Sequence, residues 1–447
     1  MAAPADQASA ARDGEPGFAP SEASGAEIPL IACHECDAIY RREPIAPGAK
    51  ATCKRCGALL YRGVPASLDR SLALYLASLV LLLIANTFPF LALKVGGIVE
   101  EDHVIGGGLA LVDFGMAELG LVVFLTSIAF PFVTIAGTLY LLIASRLDVV
   151  APGMRLVYRV VNALGSWSLI GVFLLGTLIA IVKLKDLATV VPGPGLYALF
   201  ALVVVYAAAR TGFDPEVIWR PLRLRRLTEA DLPAAGRVLH CHSCGLLNRA
   251  SQHPHPQCAR CHAPLHPRLA NSVQRTWALM AAAVVMLIPA NLLPVMTFKK
   301  LGQGEPSTIL GGVVHLVEDG AWGLGLIVFF ASVAVPVAKL VSLSLLLRSI
   351  RSGATWRPKD RTALYRATEM IGAWSMIDVF LVALLAGLVS LGLVASIEPG
   401  LGVTFFGAAV ILTMFAAHSF DPRLIWDHAD LNPQPNGSTQ AAAEPAA

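Results

Sequence analysis

Eight cysteines stand in four pairs: Cys33 and Cys36, Cys53 and Cys56, Cys241 and Cys244, Cys258 and Cys261. Two modules result, C-x2-C-x16-C-x2-C and C-x2-C-x13-C-x2-C. Two thiolates on a tight knuckle occupy two corners of a tetrahedron, and a second knuckle closes it. This is the spacing of a closed structural zinc site, and the expectation is two zinc ions per chain, one per module. A rubredoxin-like iron site is the main rival. A metal-free ribbon is another, although neither copy looks degenerate. A thioredoxin-like redox pair fits less well, because no βαβ pattern surrounds the motifs. His34, His242 and His262 lie inside or beside the knuckles and read as solvated neighbours of a filled shell. Modules this small cannot bury a sufficient core, so a metal would do the folding.

A second set of reactive groups lies in apolar surroundings. Lys339 falls in "ASVAVPVAKLVSLSLLLR", nine residues before Arg348, and Asp378 falls in "EMIGAWSMIDVFLVALL", nine residues after Glu369. An ionisable residue inside a membrane span is a functional candidate. A basic loop joins the two segments, which makes them antiparallel and puts both groups roughly 13 Å inside one boundary. Ser332, Ser375 and Thr413 fall at matching depths. The expectation is a buried polar cluster from three helices, with Lys339 and Asp378 within hydrogen-bonding reach in at least one state. It serves as a proton-linked or conformational switch, or as a salt bridge that only fixes packing; the third reading is that the two groups do not meet at all. Lys183, Lys185 and Asp186 stand at the end of another apolar run, where lysines commonly snorkel to the interface.

The elements that must position these groups are membrane spans. The 447-residue chain is 55% hydrophobic and only 15% charged, with a mean hydropathy of +0.64, whereas soluble domains carry about 25% charge. Apolar stretches near 71–91, 118–144, 163–184, 195–211, 276–296, 322–347, 369–395 and 401–418 predict eight helices. The chain is also duplicated at a period near 205–207 residues. "LGSWSLIGVFLLG" (164–176) matches "IGAWSMIDVFLVA" (371–383), and "TGFDPEVIW" (211–219) matches "HSFDPRLIW" (418–426). The repeat puts Thr134 opposite Lys339 and Gly171 opposite Asp378, so the two halves are not equivalent.

The fold expectation is an all-α integral membrane protein with two tandem four-helix blocks, each preceded by a small cytoplasmic zinc ribbon. Its divisions are a disordered tail (1–29), ribbon 1 (30–64), block 1 (68–220), ribbon 2 (237–268), block 2 (273–428) and a second tail (429–447). Residues 1–27 lack the apolar core of a signal peptide. Arginines crowd the inter-block segment and the 348–366 loop, while Glu100, Glu101, Asp102, Glu305 and Glu318 mark the opposite face. That bias predicts cytoplasmic termini and ribbons. Pro131 and Pro336 fall inside second spans, where they would remove a helical hydrogen bond and permit a kink. The glycine-rich connections near 106–108 and 311–312 predict short strands or a small crown. A net charge of +3 is too small to imply nucleic acid.

The paired CxxC knuckles, the N-x-x-P of each first span (Asn86 to Pro89, Asn291 to Pro294), "WSMIDVF" (374–380) and the two "FDP" endings together resemble the paraquat-inducible protein A family. The likeness covers about residues 30 to 428 and is nearest to the branch of lipophilic envelope-spanning tunnel protein A. It implies a bacterial inner-membrane protein that works with a mammalian-cell-entry (MCE) family tunnel partner and handles membrane phospholipids. "WSLIGVF" in the first half departs from the family's pattern by lacking the aspartate. No G-x-x-x-x-G-K-[ST] phosphate loop occurs, and no enzyme activity is expected. The competing readings are a membrane redox protein with four-cysteine iron sites and a non-catalytic anchor for the tunnel.

Overall fold

The computed structural model describes residues 28–64, 68–95, 98–184, 189–232, 238–249, 256–300, 303–318, 320, 322–388 and 395–431. Most of both expected tails, together with Lys185 and Asp186, lies outside them.

The first cysteine module is two hairpins, β1 (Leu30–Ala32) with β2 (Ile39–Arg41) and β3 (Lys50–Thr52) with β4 (Leu59–Arg62). Each hairpin turn carries one knuckle. Block 1 comes next as α1 (Leu68–Thr87), β5 (Leu91–Val95), β6 (Ile98–Asp102), α2 (Gly106–Asp113), α3 (Ala117–Phe124), α4 (Phe130–Arg146), α5 (Met154–Gly165), α6 (Ile170–Leu184), β7 (Thr189–Pro192) and α7 (Pro194–Thr211). The second module is built on β8 (Val238–His240) and β9 (Leu247–Arg249), with a bridge between Gln257 and Pro264. Block 2 repeats the first as α8 (Ser272–Leu292), β10 (Met296–Lys300), β11 (Gln303–Ser307), α9 (Ile309–Glu318), α10 (Trp322–Phe329), α11 (Val335–Arg351), α12 (Pro358–Gly372), α13 (Ile377–Leu388), β12 (Ala395–Pro399) and α14 (Leu401–Ser419), and α15 (Leu424–Leu431) closes it. Among the described residues, eight helices are long and apolar enough to cross a membrane. The chain is a mostly helical multi-pass membrane protein.

The strands at the far end of each block form a three-stranded antiparallel sheet, in the order β6-β5-β7 and β11-β10-β12. Leu91 pairs with both Asp102 and Pro192, and Met296 with both Ser307 and Pro399. The chain returns from each sheet into the last span through a glycine. A Cβ on Gly193 or Gly400 would come 2.2 Å from the carbonyl oxygen of Pro89 or Pro294. Only glycine allows that approach.

The second spans are irregular at their prolines. Each contains one π turn, Leu125–Ala129 or Phe330–Ala334, immediately before the α segment whose first turn holds Pro131 or Pro336. Proline has no N–H and clashes with the carbonyl four residues back. The wider turn before each proline accommodates that clash.

The third spans start earlier than the apolar runs suggested, at Met154 and Pro358, and each is broken. Helix α5 ends at Gly165 and α6 starts at Ile170. Helix α12 ends at Gly372, a 3-10 turn covers Ala373–Met376, and α13 begins directly after it. The first halves carry Arg155 and Arg159, or Lys359, Arg361 and Arg366, so composition alone reads them as loop. Past the break, the second half crosses to the other block. The Phe380 and Phe173 rings meet edge to face at 5.4 Å, and α13 lies so close to α2 that a Cβ on Gly107 would come 2.9 Å from the Ala383 carbonyl. The described residues of α13 are buried almost throughout, inside one apolar core that both blocks share.

Candidate functional site

In each module the four sulfurs lie within 4.8 Å of one another, and all eight cysteines are buried and free of disulfides. Cys33 faces Cys56, Cys36 faces Cys53, Cys241 faces Cys261 and Cys244 faces Cys258, each at 3.5 Å. A tetrahedron with zinc–sulfur bonds of 2.3 Å has edges of about 3.8 Å, so the donor set and its spacing fit a divalent metal. Each cluster has one polar neighbour at an equivalent place. The Tyr40 hydroxyl is 3.2 Å from Cys53 Sγ, and the Asn248 amide donates to Cys258 Sγ at 3.7 Å. His34 is largely exposed and His242 bonds Arg423, so both stand outside the cysteine shells.

The ribbons dock crosswise. Ribbon 1 packs its cysteines against α11, α12, α14 and α15 of block 2, through Leu343, Leu347, Tyr365 and Trp426. Ribbon 2 packs against Leu141, Tyr158, Ile218 and Trp219 of block 1. Repeat-equivalent arginines in the second knuckles stack on repeat-equivalent tryptophans, Arg55 on Trp426 at 4.6 Å and Arg260 on Trp219 at 5.5 Å. Leu30 and Ala32 of ribbon 1 meet Leu247 of ribbon 2 in a small apolar seam.

A charged junction closes the gap between ribbons and blocks. Arg423, almost wholly buried, bonds Asp421 and reaches Asp37 of ribbon 1 and His242 of ribbon 2. Burial opposes ionisation of Asp421, but the bonds and charge of Arg423 and the amides of Leu269 and Arg423 outweigh it, and its carboxyl titrates below the ordinary range. The repeat-equivalent position in block 1 has the opposite sign. Glu216 there accepts from Arg226 and Arg260 and pairs with Arg42.

The expected polar residues gather at the break in the third span of block 2, in two groups. Lys339 Nζ donates to Thr413 Oγ1 at 2.8 Å and to the Gly372 carbonyl at 3.4 Å. That carbonyl ends α12, where the helix dipole favours a cation. Asp378 sits in the first turn of α13, where the dipole favours an anion. Lys339 and Asp378 thus stand on opposite sides of the 3-10 turn. Asp378 and Ser332 line a cavity of about 30 Å3 with Thr308, Val328 and Phe406, room enough for water. Ser332 is in the π turn and donates to the Val328 carbonyl. Ser375 is buried within the 3-10 turn of the break.

Block 1 is interrupted at the equivalent place, by the non-helical residues 166–169, without the charges. The Thr134 hydroxyl takes the place of Lys339 and meets the Tyr206 hydroxyl at 3.3 Å, and the Leu169 amide at the break bonds the Thr126 carbonyl of the π turn. Lys183 falls in the last turn of α6; Asp186 lies outside the described residues.

Comparison with known proteins matches the two blocks, residues 68–223 and 273–430, to the family described as paraquat-inducible protein A. This chain belongs to the paraquat-inducible protein A family. It is 32% identical to the intermembrane transport protein PqiA of Escherichia coli K12 over 405 residues, covering 89% of this chain and 95% of the relative. It is 31% identical to the lipophilic envelope-spanning tunnel protein A of the same organism over 408 residues, covering 91% and 93%. A probable intermembrane transport protein of Haemophilus influenzae is 28% identical over 401 residues, covering 89% and 95%. The first two identities do not separate the branches. No solved structure matches.

In this member of the paraquat-inducible protein A family, the residue that sequence reasoning missed is Arg366. Its guanidinium donates to the carbonyls of Cys56 and Gly57 and pairs with the buried Glu35. The helix breaks were also missed. Their one signal was Gly-Ser-Trp-Ser and Gly-Ala-Trp-Ser in mid-span, where glycine lowers helix propensity.

Proposed function

We propose that this chain is the inner-membrane component of an intermembrane lipid transport system, loading phospholipid into an MCE-family tunnel across the periplasm or receiving it from one. The names of the relatives support transport between membranes. The arginine-rich ribbon end supports cytoplasmic ribbons and termini, and the cysteine geometry supports zinc in both ribbons. The observation that carries the reading is the broken third span of block 2. Interrupted helices mark substrate and ion sites in transporters, and here Lys339 reaches the Gly372 carbonyl before the 3-10 turn, while Asp378 follows the turn and lines a cavity.

Lys339 and Asp378 act as the proton-linked or conformational switch, with Ser332, Ser375 and Thr413 as their polar surround. Lys183 and Asp186 are assigned a minor part at the outer end of block 1. The chain acts as a transporter component and not as an enzyme. The test is lipid transfer from vesicles holding the chain and its tunnel partner. Lys339→Met and Asp378→Leu, alone or together, should leave the chain folded and abolish transfer. Full transfer by both single variants would sink the switch. Normal transfer by the double variant would leave a scaffold, and iron with visible absorbance in the purified chain would favour the redox reading.

A further inference from the structure

Both ribbons grip the same element of the opposite block, the first half of its broken third span. Ribbon 1 does so at two places on α12. Arg366 reaches from the middle of α12 to the carbonyls of Cys56 and Gly57 and to Glu35 between the first two cysteines. Independently, Arg55 of the second knuckle stacks on Trp426, whose indole N–H donates to Thr362 of α12 at 3.1 Å. Ribbon 2 holds α5 in the same manner. The Tyr158 hydroxyl donates to the Ser243 carbonyl, Arg155 donates to the Arg260 carbonyl, and Tyr158 packs against Trp219 under Arg260.

We propose that each four-cysteine knuckle set is a strap that fixes the first half-helix of the opposite block's third span, so that metal held by ribbon 1 sets the alignment of the break at Gly372–Asp378. The carbonyls that Arg366 uses belong to Cys56 and Gly57, whose positions depend on closure of the cluster. Without closure, knuckles this short have no core of their own to hold them. Arg366 would then lose a fixed partner while Glu35, nearly inaccessible to solvent, would be stranded. The other end of α12 is Gly372, whose carbonyl receives Lys339. Loosening α12 therefore moves one end of the polar site without touching it. Arg366 is a positioning residue, and the strap works whatever the transported molecule is.

The experiment is amide hydrogen exchange on the full chain in lipid nanodiscs, with zinc measured on each sample. Cys53→Ser should speed exchange across 358–378 by about tenfold or more and leave 154–170 within about twofold of the parent. Cys258→Ser should do the reverse. Arg366→Ala should keep two zinc ions per chain and still speed exchange in 358–378, which separates the strap from loss of the ribbon. If a cysteine variant fails to fold, the parent treated with a zinc chelator and the Arg366→Ala variant carry the test. Exchange that loosens the block next in sequence to the altered ribbon, or both blocks alike, would overturn the proposal. So would unchanged exchange over 358–378 in Arg366→Ala.

Discussion

At the scale of single residues, each cluster rests on its cysteines and on one neighbour that aims a polar group at the same sulfur. Tyr40 faces Cys53 and Asn248 faces Cys258. Such outer partners typically contribute about 10- to 100-fold in metal affinity. Tyr40→Phe should weaken metal retention by ribbon 1 about tenfold and leave ribbon 2 unchanged, read by competition with a zinc chelator; equal retention would deny the hydroxyl this role. The cysteines were legible in the sequence because four thiols at knuckle spacing admit few other uses. Their neighbours were not, since nothing in the chain marks Tyr40 apart from other tyrosines until the hairpins bring it back to Cys53. Lys339 was legible as a costly buried charge. Thr413 was placed at its depth from the sequence, but its second acceptor, the Gly372 carbonyl, was not, because hydropathy does not register the 3-10 turn that follows.

Among elements, the π turns and the broken third spans explain what composition could not. A π turn holds one more residue than the α turn it replaces, so removing one residue there closes it to regular helix and keeps the register of the rest of the span. Deleting Ala331 should cost at most about 1–2 kcal/mol. Deleting Leu340 from the regular α11 turns everything beyond it by about 100° and should prevent stable folding. Thermal melting in detergent compares the two, and equal losses would contradict the account. The span count was readable from apolar run length. The start of each third span was not, because its arginines belong to helix turns that meet a ribbon, and local composition cannot see a tertiary partner.

The whole molecule is less symmetric than its duplicated sequence. Repeat-equivalent glycines show this. Gly107 of α2 is pressed against the backbone of α13, whereas among the described residues a Cβ on Gly312 of α9 would meet only Ser307 Oγ, at an ordinary 3.5 Å. Gly107→Ala should destabilise the chain by about 1–3 kcal/mol. Gly312→Ala should be neutral or stabilise by up to about 1 kcal/mol through helix propensity. Melting curves of the two variants decide the matter, and equal shifts would mean that the blocks meet symmetrically after all. The repeat itself was plain in the sequence, but the crossing of ribbons and third spans was not. Two similar halves can pair straight or crossed, and the choice is made by side chains such as Asp37, Glu216 and Arg423, whose partners are distant in the chain.

Crosswise docking also has a consequence for how the protein is made. Cys56 and the Arg366 that grips its carbonyl are separated by 310 residues. At about 5–20 residues per second, ribbon 1 leaves the ribosome tens of seconds before its seat exists. It must wait through insertion of the whole first block, and ribbon 2, made midway, finds its own seat already built. The newborn chain is therefore most exposed at its oldest end. A chain interrupted after block 1 would hold one complete four-span bundle with the wrong ribbon beside it.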